Sequence, residues 1–510
     1  MGIDTLSYFT WKIIEVCSII FVFSLGIFFL LLIYLYLSDK LQTTQTVRRN
    51  YPIIGRFRYF FEHMGEFFRQ YFFAQDREEL PFNRAQRSWV YRAAKNVDST
   101  IAFGSTRSLS TPGEVIFVNH VFPVHASQAC VPKAITFGEN FALTPYTTNA
   151  LINISGMSYG ALSSVAVTAL AKGAKKAGIW MNSGEGGVSK YHLQEGCDLV
   201  VQIGTAKYGV RDEQGHLCDK RLIELADNEQ VRMFEIKLSQ GAKPGKGGML
   251  LGKKVTAEIA KIRGIPEGMD SISPNRHCDI NNIEELQNII FRIRKVTKKP
   301  VGIKFVLGQT EWLDEFFEAI NERGLAYSPD FITLDGAEGG TGAAPQSLMD
   351  YMGLPLKTSL PLLIDKLIQH NLKQRIKVIC SGKLITPEQV AWAYCVGADT
   401  VVSARGFLFS LGCIQALQCN KNTCPTGITT HKRELQQGLV PENKAQRVSQ
   451  YAINLSHELE VMAHSCGVAE PRGFRRNHAA IIDASSTPQL MAHLYPIPEA
   501  NSHSRESIND

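Results

Sequence analysis

Three thiols lie within twelve residues in LGCIQALQCNKNTCPTG: Cys413, Cys419 and Cys424, a C-x5-C-x4-C array that ends in Cys-Pro. Cysteines clustered in this way point to ligation of a soft metal, because a reducing compartment disfavours disulfides. A structural zinc site would need four ligands and C-x2-4-C pairs, and the run has neither. Three thiolates instead suit a cluster with three irons, and the proline after the last cysteine echoes a ferredoxin pattern. The alternative is three unrelated cysteines buried for packing, since free Cys is a common core residue.

Glycine-rich segments form a second constellation: GMSYGALS (156–163), NSGEGG (182–187), QGAKPGKGG (240–248), DGAEGGTGAAP (335–345), SGK (381–383) and SARG (403–406). Any one of them reads as a turn, whereas six at the ends of successive apolar runs let backbone amides approach a ligand closely. A bound phosphorylated cofactor is therefore expected. GGMLLGKK (247–254) nearly fits a nucleotide-binding P-loop, but Lys254 stands where a hydroxyl must meet magnesium. No G-x-G-x-x-G opens a helix after a strand, so the electrons are expected from a partner.

Positioning these loops requires a scaffold of strands. Apolar runs rich in Val and Ile recur at 151–156, 179–184, 199–204, 233–239, 301–306, 331–336, 376–382 and 400–406, each followed by Gly or polar residues and then an amphipathic segment. This alternation predicts an α/β fold with a parallel sheet, and eight strands over some 250 residues predict a (β/α)8 TIM barrel. Chemistry then sits at the C-terminal strand ends, and the irregular stretch 241–252 becomes a long loop on that face. Hydrophobic residues at 45% and charged residues at 20% of 510 exclude a disordered or collagen-like chain. A net charge of +6 is small for this length, so nucleic acid is not expected as a partner.

Residues 16–37, VCSIIFVFSLGIFFLLLIYLYL, carry no charge and are long enough to cross a bilayer core of about 30 Å. The run exceeds the usual apolar length of a signal peptide and ends without small residues, so a transmembrane helix is predicted. Lys40, Arg48, Arg49, Arg56 and Arg58 follow it against only Asp39, which predicts a single-pass chain whose large C-terminal part faces the cytoplasm. The segment 56–73 interleaves aromatics with Arg and Glu at a helical period, which suits either a helix in the headgroup region or one packed on the soluble body. The predicted organisation is a tail (1–15), the span (16–37), a juxtamembrane connector (38–98), the barrel (99–475) and a partly disordered polar tail (476–510).

MSYGALS, NSGEGG, IKLSQGAKPGKGG, GKKVTAEIAKIRG, GGTGAAP and C-x5-C-x4-C-PTGI, in this order, resemble the FMN-binding synthase domain of glutamate synthase over roughly residues 100–470. The resemblance implies FMN, a 3Fe-4S cluster held by Cys413, Cys419 and Cys424, and conversion of 2-oxoglutarate and ammonia, through 2-iminoglutarate, to L-glutamate by hydride from reduced FMN. It places FMN against Gly156, Met157, Ser158, Lys304, Ser381, Gly382, Ala404 and Arg405. It places the substrate carboxylates near Lys243 and Arg263, with Glu185 beside the reacting carbon. Lys and Arg can clamp a dicarboxylate, and a Lys at the flavin ring can stabilise its reduced form.

The chain departs from the family in four places. It begins Met1-Gly2 rather than with the nucleophilic cysteine of a glutaminase domain, so free ammonia and an external donor such as ferredoxin or a flavoprotein are expected. No C-terminal helical-repeat domain is read after residue 480. Met249 stands where the family has Gln, and SGHDGG reads DGAEGG, which brings Asp335 and Glu338. Extra carboxylates near a dianionic substrate would repel it, which leaves a different keto or imino substrate, or a scaffold without turnover, as alternatives.

Overall fold

The computed structural model describes residues 3–500. The chain divides into two compact units, one running to Ala85 and one from Gln86.

The first unit is helical. Helix α1 (Ile3–Leu41) holds a stretch, Ser7–Leu41, long and apolar enough by length and composition to cross a membrane. A short turn of helix at Thr46–Asn50 leads into α2 (Gly55–Phe68), which runs on through a π-helical turn at Arg69–Phe73.

In the second unit every predicted run contributes one strand to a closed parallel barrel: β1 (Ile152–Ile154), β2 (Met181–Asn182), β3 (Leu199–Ile203), β4 (Val231–Lys237), β5 (Val301–Val306), β6 (Phe331–Asp335), β7 (Lys377–Ser381) and β8 (Thr400–Ser403). Ser403 of β8 pairs with Ile154 of β1 and closes the ring. The strands read as near-continuous apolar runs because helices cover the outer face and side chains fill the interior. Between them, α3 (Ser164–Ala177) starts at Ser163, whose hydroxyl accepts from Ala166 N, and stops at Gly178 in the left-handed region. Its small residues admit the long helix α4 (Pro441–Ser465): a Cβ on Gly173 would lie 2.4 Å from Val448 Cγ1.

One end of the barrel is sealed. The hairpin of Ile135–Phe137 and Tyr146–Thr148 inserts Phe137, whose ring centre is 5.5 Å from Phe331 and 5.7 Å from Trp180. Trp180 precedes β2 and Phe331 opens β6, so the plug occupies the N-terminal end and leaves the C-terminal end for chemistry. The loop after β4 carries a small hairpin there, with Met249–Leu250 antiparallel to Ser271–Ile272.

The folded body continues past residue 475, where a tail was expected. Ala479–Ile482 pairs with Val115–Phe117 on one side and Pro488–Leu490 on the other, because Ala479, Ala480 and Ile482 are apolar and buried. The polar end from residue 501 lies outside the described residues.

Candidate active site

A cavity with about 1100 Å3 of space, part of it open to solvent, sits over the C-terminal strand ends. It gathers Gly156, Met157, Ser158, Glu185, Lys243, Met249, Arg263, Ala404, Arg405 and Cys419 from segments up to 263 residues apart in sequence. Lys304, Ser381, Gly382, Cys413 and Cys424 do not line it.

The centre of the polar wall is Glu185, which follows β2. Its Oε2 lies 3.2 Å from Nζ of Lys237, the last residue of β4, and that ammonium also donates to Gln240 Oε1 at 2.9 Å. Burial raises the Glu185 pKa, but Lys237, Lys243 and Arg263 outweigh it and hold the carboxyl below its ordinary range. Lys243 is 3% exposed; burial lowers its pKa, and Glu185 opposes that shift. Arg263 ends a short helix (Ala257–Arg263), lies with its guanidinium 5.1 Å from the Tyr208 ring centre, and donates to Ser271 Oγ at 3.1 Å. Its buried Nε has no hydrogen-bond partner among the described residues. Three cations against one carboxylate leave this wall with two net positive charges, which suits a dianionic ligand. Close packing sets the wall: a Cβ on Gly248 would fall 2.5 Å from Glu185 Oε1.

Beneath the cavity floor lies a second charged layer. Lys304 points inward from β5 with Nζ 3.7 Å from Asp335 Oδ2. Burial works against its charge, yet Asp335 and Glu235 together raise the Lys304 pKa above its ordinary value. Asp335 also accepts from Ser381 Oγ and, at 2.9 Å, from Gly241 N. Glu235, 3% exposed, accepts from Asn182 Nδ2 at 2.9 Å, Gln202 Nε2 at 2.6 Å and the Thr333 hydroxyl. Asn182 Oδ1 in turn accepts from Gly184 N at 2.9 Å, so the layer fixes the loop that carries Glu185.

This geometry corrects the expectation that Asp335 and Glu338 repel a dianion. Asp335 is matched by Lys304 below the cavity, and neither carboxylate lines it. Glu338 turns away and accepts from Leu356 N at the start of the helix Leu356–Gln369; burial raises its pKa.

Around the cysteines the charge is also organised. The Arg405 guanidinium donates to Thr341 O at 2.7 Å and reaches Cys419 Sγ at 3.7 Å. Burial disfavours its charge, but Cys419, Cys413 and Cys424 outweigh burial and hold it protonated. Burial brings Lys254 down to about 8, against the pull of Cys419 and Cys424. Burial raises the Cys413 thiol; at Cys424 it is overcome by hydrogen bonds from Thr426 and Thr429, which lower the pKa. All three thiols are free. Among the described residues, no three His, Cys, Asp or Glu side chains are drawn together as a closed metal site.

Sequence reasoning missed Lys237, Gln202 and Glu235. The signal was available: Glu235 and Lys237 are two apart in a strand whose other residues are mostly apolar, so both point into the barrel.

The chain is similar in sequence to known proteins over most of its length. The glutamate synthase large subunit-like protein YerD of Bacillus subtilis (strain 168) is 39% identical over 485 residues, covering 87% of this chain and 91% of that protein. The archaeal glutamate synthase (NADPH) of Methanocaldococcus jannaschii is 35% identical over 328 residues, or 64% of this chain; the chain spans 61% of that protein's length. A counterpart of the same name in Archaeoglobus fulgidus is 32% identical over 351 residues, 67% of this chain and 65% of its own. Residues 132–469 match the conserved region in glutamate synthase, and the chain belongs to the glutamate synthase family.

Proposed function

We propose that the protein is a glutamate synthase-type oxidoreductase that forms L-glutamate from 2-oxoglutarate and ammonia. The observation that carries this reading is the wall of Lys237, Lys243 and Arg263 around Glu185, whose two net positive charges match a dicarboxylate. Lys243 and Arg263 hold the carboxylates, and Glu185 orients the ammonia or relays a proton to the product amine.

FMN fits the cavity on the residues present. Gly156, Gly184, Gly340 and Gly342 line it without side chains, Met157, Leu162 and Leu408 supply apolar walls, and Gln202 and Lys237 supply polar edges. When bound, FMN would supply the hydride that reduces the imino carbon. Gly156, Met157 and Ser158 would bear on the ring, Lys304 would present its charge from beneath, and Ala404–Arg405 on the cavity wall would hold the phosphate, with Ser381–Gly382, which do not line the cavity, behind them. A 3Fe-4S cluster on Cys413, Cys419 and Cys424 is supported by the donor set: three free thiols stand beside two cations, the half-buried Arg405 and the buried Lys254, whose charge an anionic cluster would balance. Holding it requires the three side chains to draw together. An external donor such as ferredoxin or a flavoprotein would supply the electrons, and α1 would anchor the chain in a membrane with the barrel on the cytoplasmic side.

A second reading keeps these cofactors and changes the substrate. It is favoured by Met249, 39% exposed on the cavity wall, which offers a thioether where the family has an amide. Anaerobic purification, a visible spectrum and iron and sulfide analysis test the cofactors. Photoreduction followed by 2-oxoglutarate with ammonium tests the substrate: flavin reoxidation with glutamate formed supports the first reading, and a flavin that stays reduced until another keto or imino acid is added supports the second.

A further inference from the structure

Asp39, near the end of α1, is fully buried, and four donors converge on it. Arg48 Nε and Nη2 reach Oδ1 at 2.8 and 2.6 Å, Arg56 Nε reaches Oδ2 at 2.8 Å, and Ile53 N reaches Oδ2 at 3.0 Å. Ile53 adopts φ of +68°, a conformation that costs a β-branched residue free energy and persists only where its surroundings impose it. Gly55, the first residue of α2, packs so tightly that a Cβ there would lie 2.7 Å from Val47 O. Two half-exposed arginines paired to one buried carboxylate, a strained backbone and a close backbone contact together make a fixed elbow between α1 and α2.

What the elbow holds in place is an exposed aromatic stripe. Phe57, Phe60, Phe61, Phe68, Tyr71 and Phe72 recur at helical spacing along α2 and its π-turn, all exposed, with Phe61 at 63% and Phe72 at 74%. Arg58, Glu62 and Arg69 occupy the other side, with Arg58 paired to Glu62 at 3.2 Å. Between residues 39 and 73 the chain has six basic residues, Lys40, Arg48, Arg49, Arg56, Arg58 and Arg69, against three acidic ones, Asp39, Glu62 and Glu66. An aromatic face bordered by excess positive charge, next in the chain to an apolar span, has the chemistry of a helix that lies in the headgroup region of an anionic bilayer.

We propose that Gly55–Phe73 is a second membrane-binding element, seated on anionic lipid at the end of the spanning helix and held at its angle by the Asp39 elbow. The inference rests on the reading that α1 spans a membrane. Aromatic side chains bury well at the headgroup level, and the arginines meet lipid phosphates there. The elbow means that this helix does not have to find its orientation after insertion.

The test places the photoreactive amino acid p-benzoylphenylalanine at position 23, 61 or 72 of the full chain, reconstituted in nanodiscs of phosphatidylcholine with or without phosphatidylglycerol. Adducts are read by mass spectrometry. Position 23 is expected to give lipid adducts in both compositions; if it gives none, the spanning reading itself fails. Given lipid adducts at 23, positions 61 and 72 are expected to give them too, with a yield about threefold or more higher when phosphatidylglycerol is present. Crosslinks from 61 and 72 only to peptides of residues 86–500, or no lipid adduct at either, overturn the proposal. Arg58→Gln with Arg69→Gln should remove the anionic preference. Asp39→Asn, and separately Arg48→Gln, should lower the yield at 61 with that at 23 unchanged; an unchanged yield at 61 in both overturns the elbow.

Discussion

Glu185 Oε2 and Lys237 Nζ meet at 3.2 Å across the mouth of the barrel, joining the loop after β2 to the end of β4. Neither charge is left unbalanced, and with Lys243 and Arg263 alongside them the surplus is positive. Lys243→Met and Arg263→Met should therefore weaken a dicarboxylate rather than the flavin. Loss of a charge-assisted contact worth about 1.5–3 kcal/mol corresponds to a KM for 2-oxoglutarate raised by about tenfold to a hundredfold. Steady-state kinetics with the flavin content measured in parallel checks this, and an unchanged KM in both variants sinks the clamp.

Glu185→Gln removes the one negative charge of that wall. The folded pKa of Glu185 is depressed, so its contribution to stability is present above the ordinary carboxylate pKa near 4.5 and is lost as pH falls through the lower folded value. The variant should melt lower than the parent at pH 7, and the gap should close as the pH is taken down through that value. Calorimetry at a series of pH values from 7 downward reads the difference. A gap that stays constant with pH would mean that the carboxylate is not charged in the folded protein.

Met249→Gln places an amide on the cavity wall. If 2-oxoglutarate is the substrate, one added hydrogen bond of about 0.5–1.5 kcal/mol lowers its KM by about twofold to tenfold. If the thioether is there to receive an apolar group on another acid, the variant gains nothing on 2-oxoglutarate and loses turnover on that acid. Competition assays with a series of 2-oxo acids separate the two outcomes.

The barrel was legible because its signal is repeated: eight apolar runs, each closed by Gly or a polar residue, and each became a strand. Glu185, Lys243 and Arg405 were legible because they sit in glycine-rich segments that have to converge at one end of a barrel, whereas Arg263, which ends a short helix, was named only through the family resemblance. Lys237 and Glu235 lay inside the predicted run 233–239 but were not singled out, because a run read only as a strand leaves open which of its two faces lines the lumen until the sheet closes. Asp335 and Glu338 were read as facing the substrate because sequence gives a residue's position on a strand end but not the partner that turns its side chain. Lys304 and Leu356 N are those partners, and both come from other elements. The strands after residue 479 escaped notice because four apolar residues between polar segments are too short a signal.

Cys413→Ser, Cys419→Ser and Cys424→Ser test the thiol array against its packing alternative. A cluster predicts that each variant loses most of its iron and sulfide under anaerobic purification while the barrel, measured by far-ultraviolet circular dichroism, persists. Unrelated core cysteines predict no iron in the parent and only a small loss of stability in the variants.

Asp335→Asn isolates the buried pair under the cavity. Lys304 has a folded pKa raised above 10.5, so its stabilisation is fully present below 10.5 and is lost only as pH rises through the higher folded value. Without the Asp335 charge, the largest influence that raises the Lys304 pKa is lost and that pKa should fall, leaving at neutral pH a buried ammonium that Glu235 compensates only in part. Breaking one partner of a buried pair costs about 3–5 kcal/mol, which Glu235, the other carboxylate acting on Lys304, should reduce toward the lower end. The same substitution turns an acceptor into an amide, so the contacts from Gly241 N and Ser381 Oγ also weaken, and the loop after β4 should loosen with them. Denaturant melts at pH 7 and pH 11, with flavin content measured on each preparation, give the outcome: a variant as stable as the parent at pH 7 would mean that Lys304 is neutral in the folded barrel, whereas a deficit at pH 7 that narrows toward pH 11 places the charge on Lys304 and the compensation on Asp335.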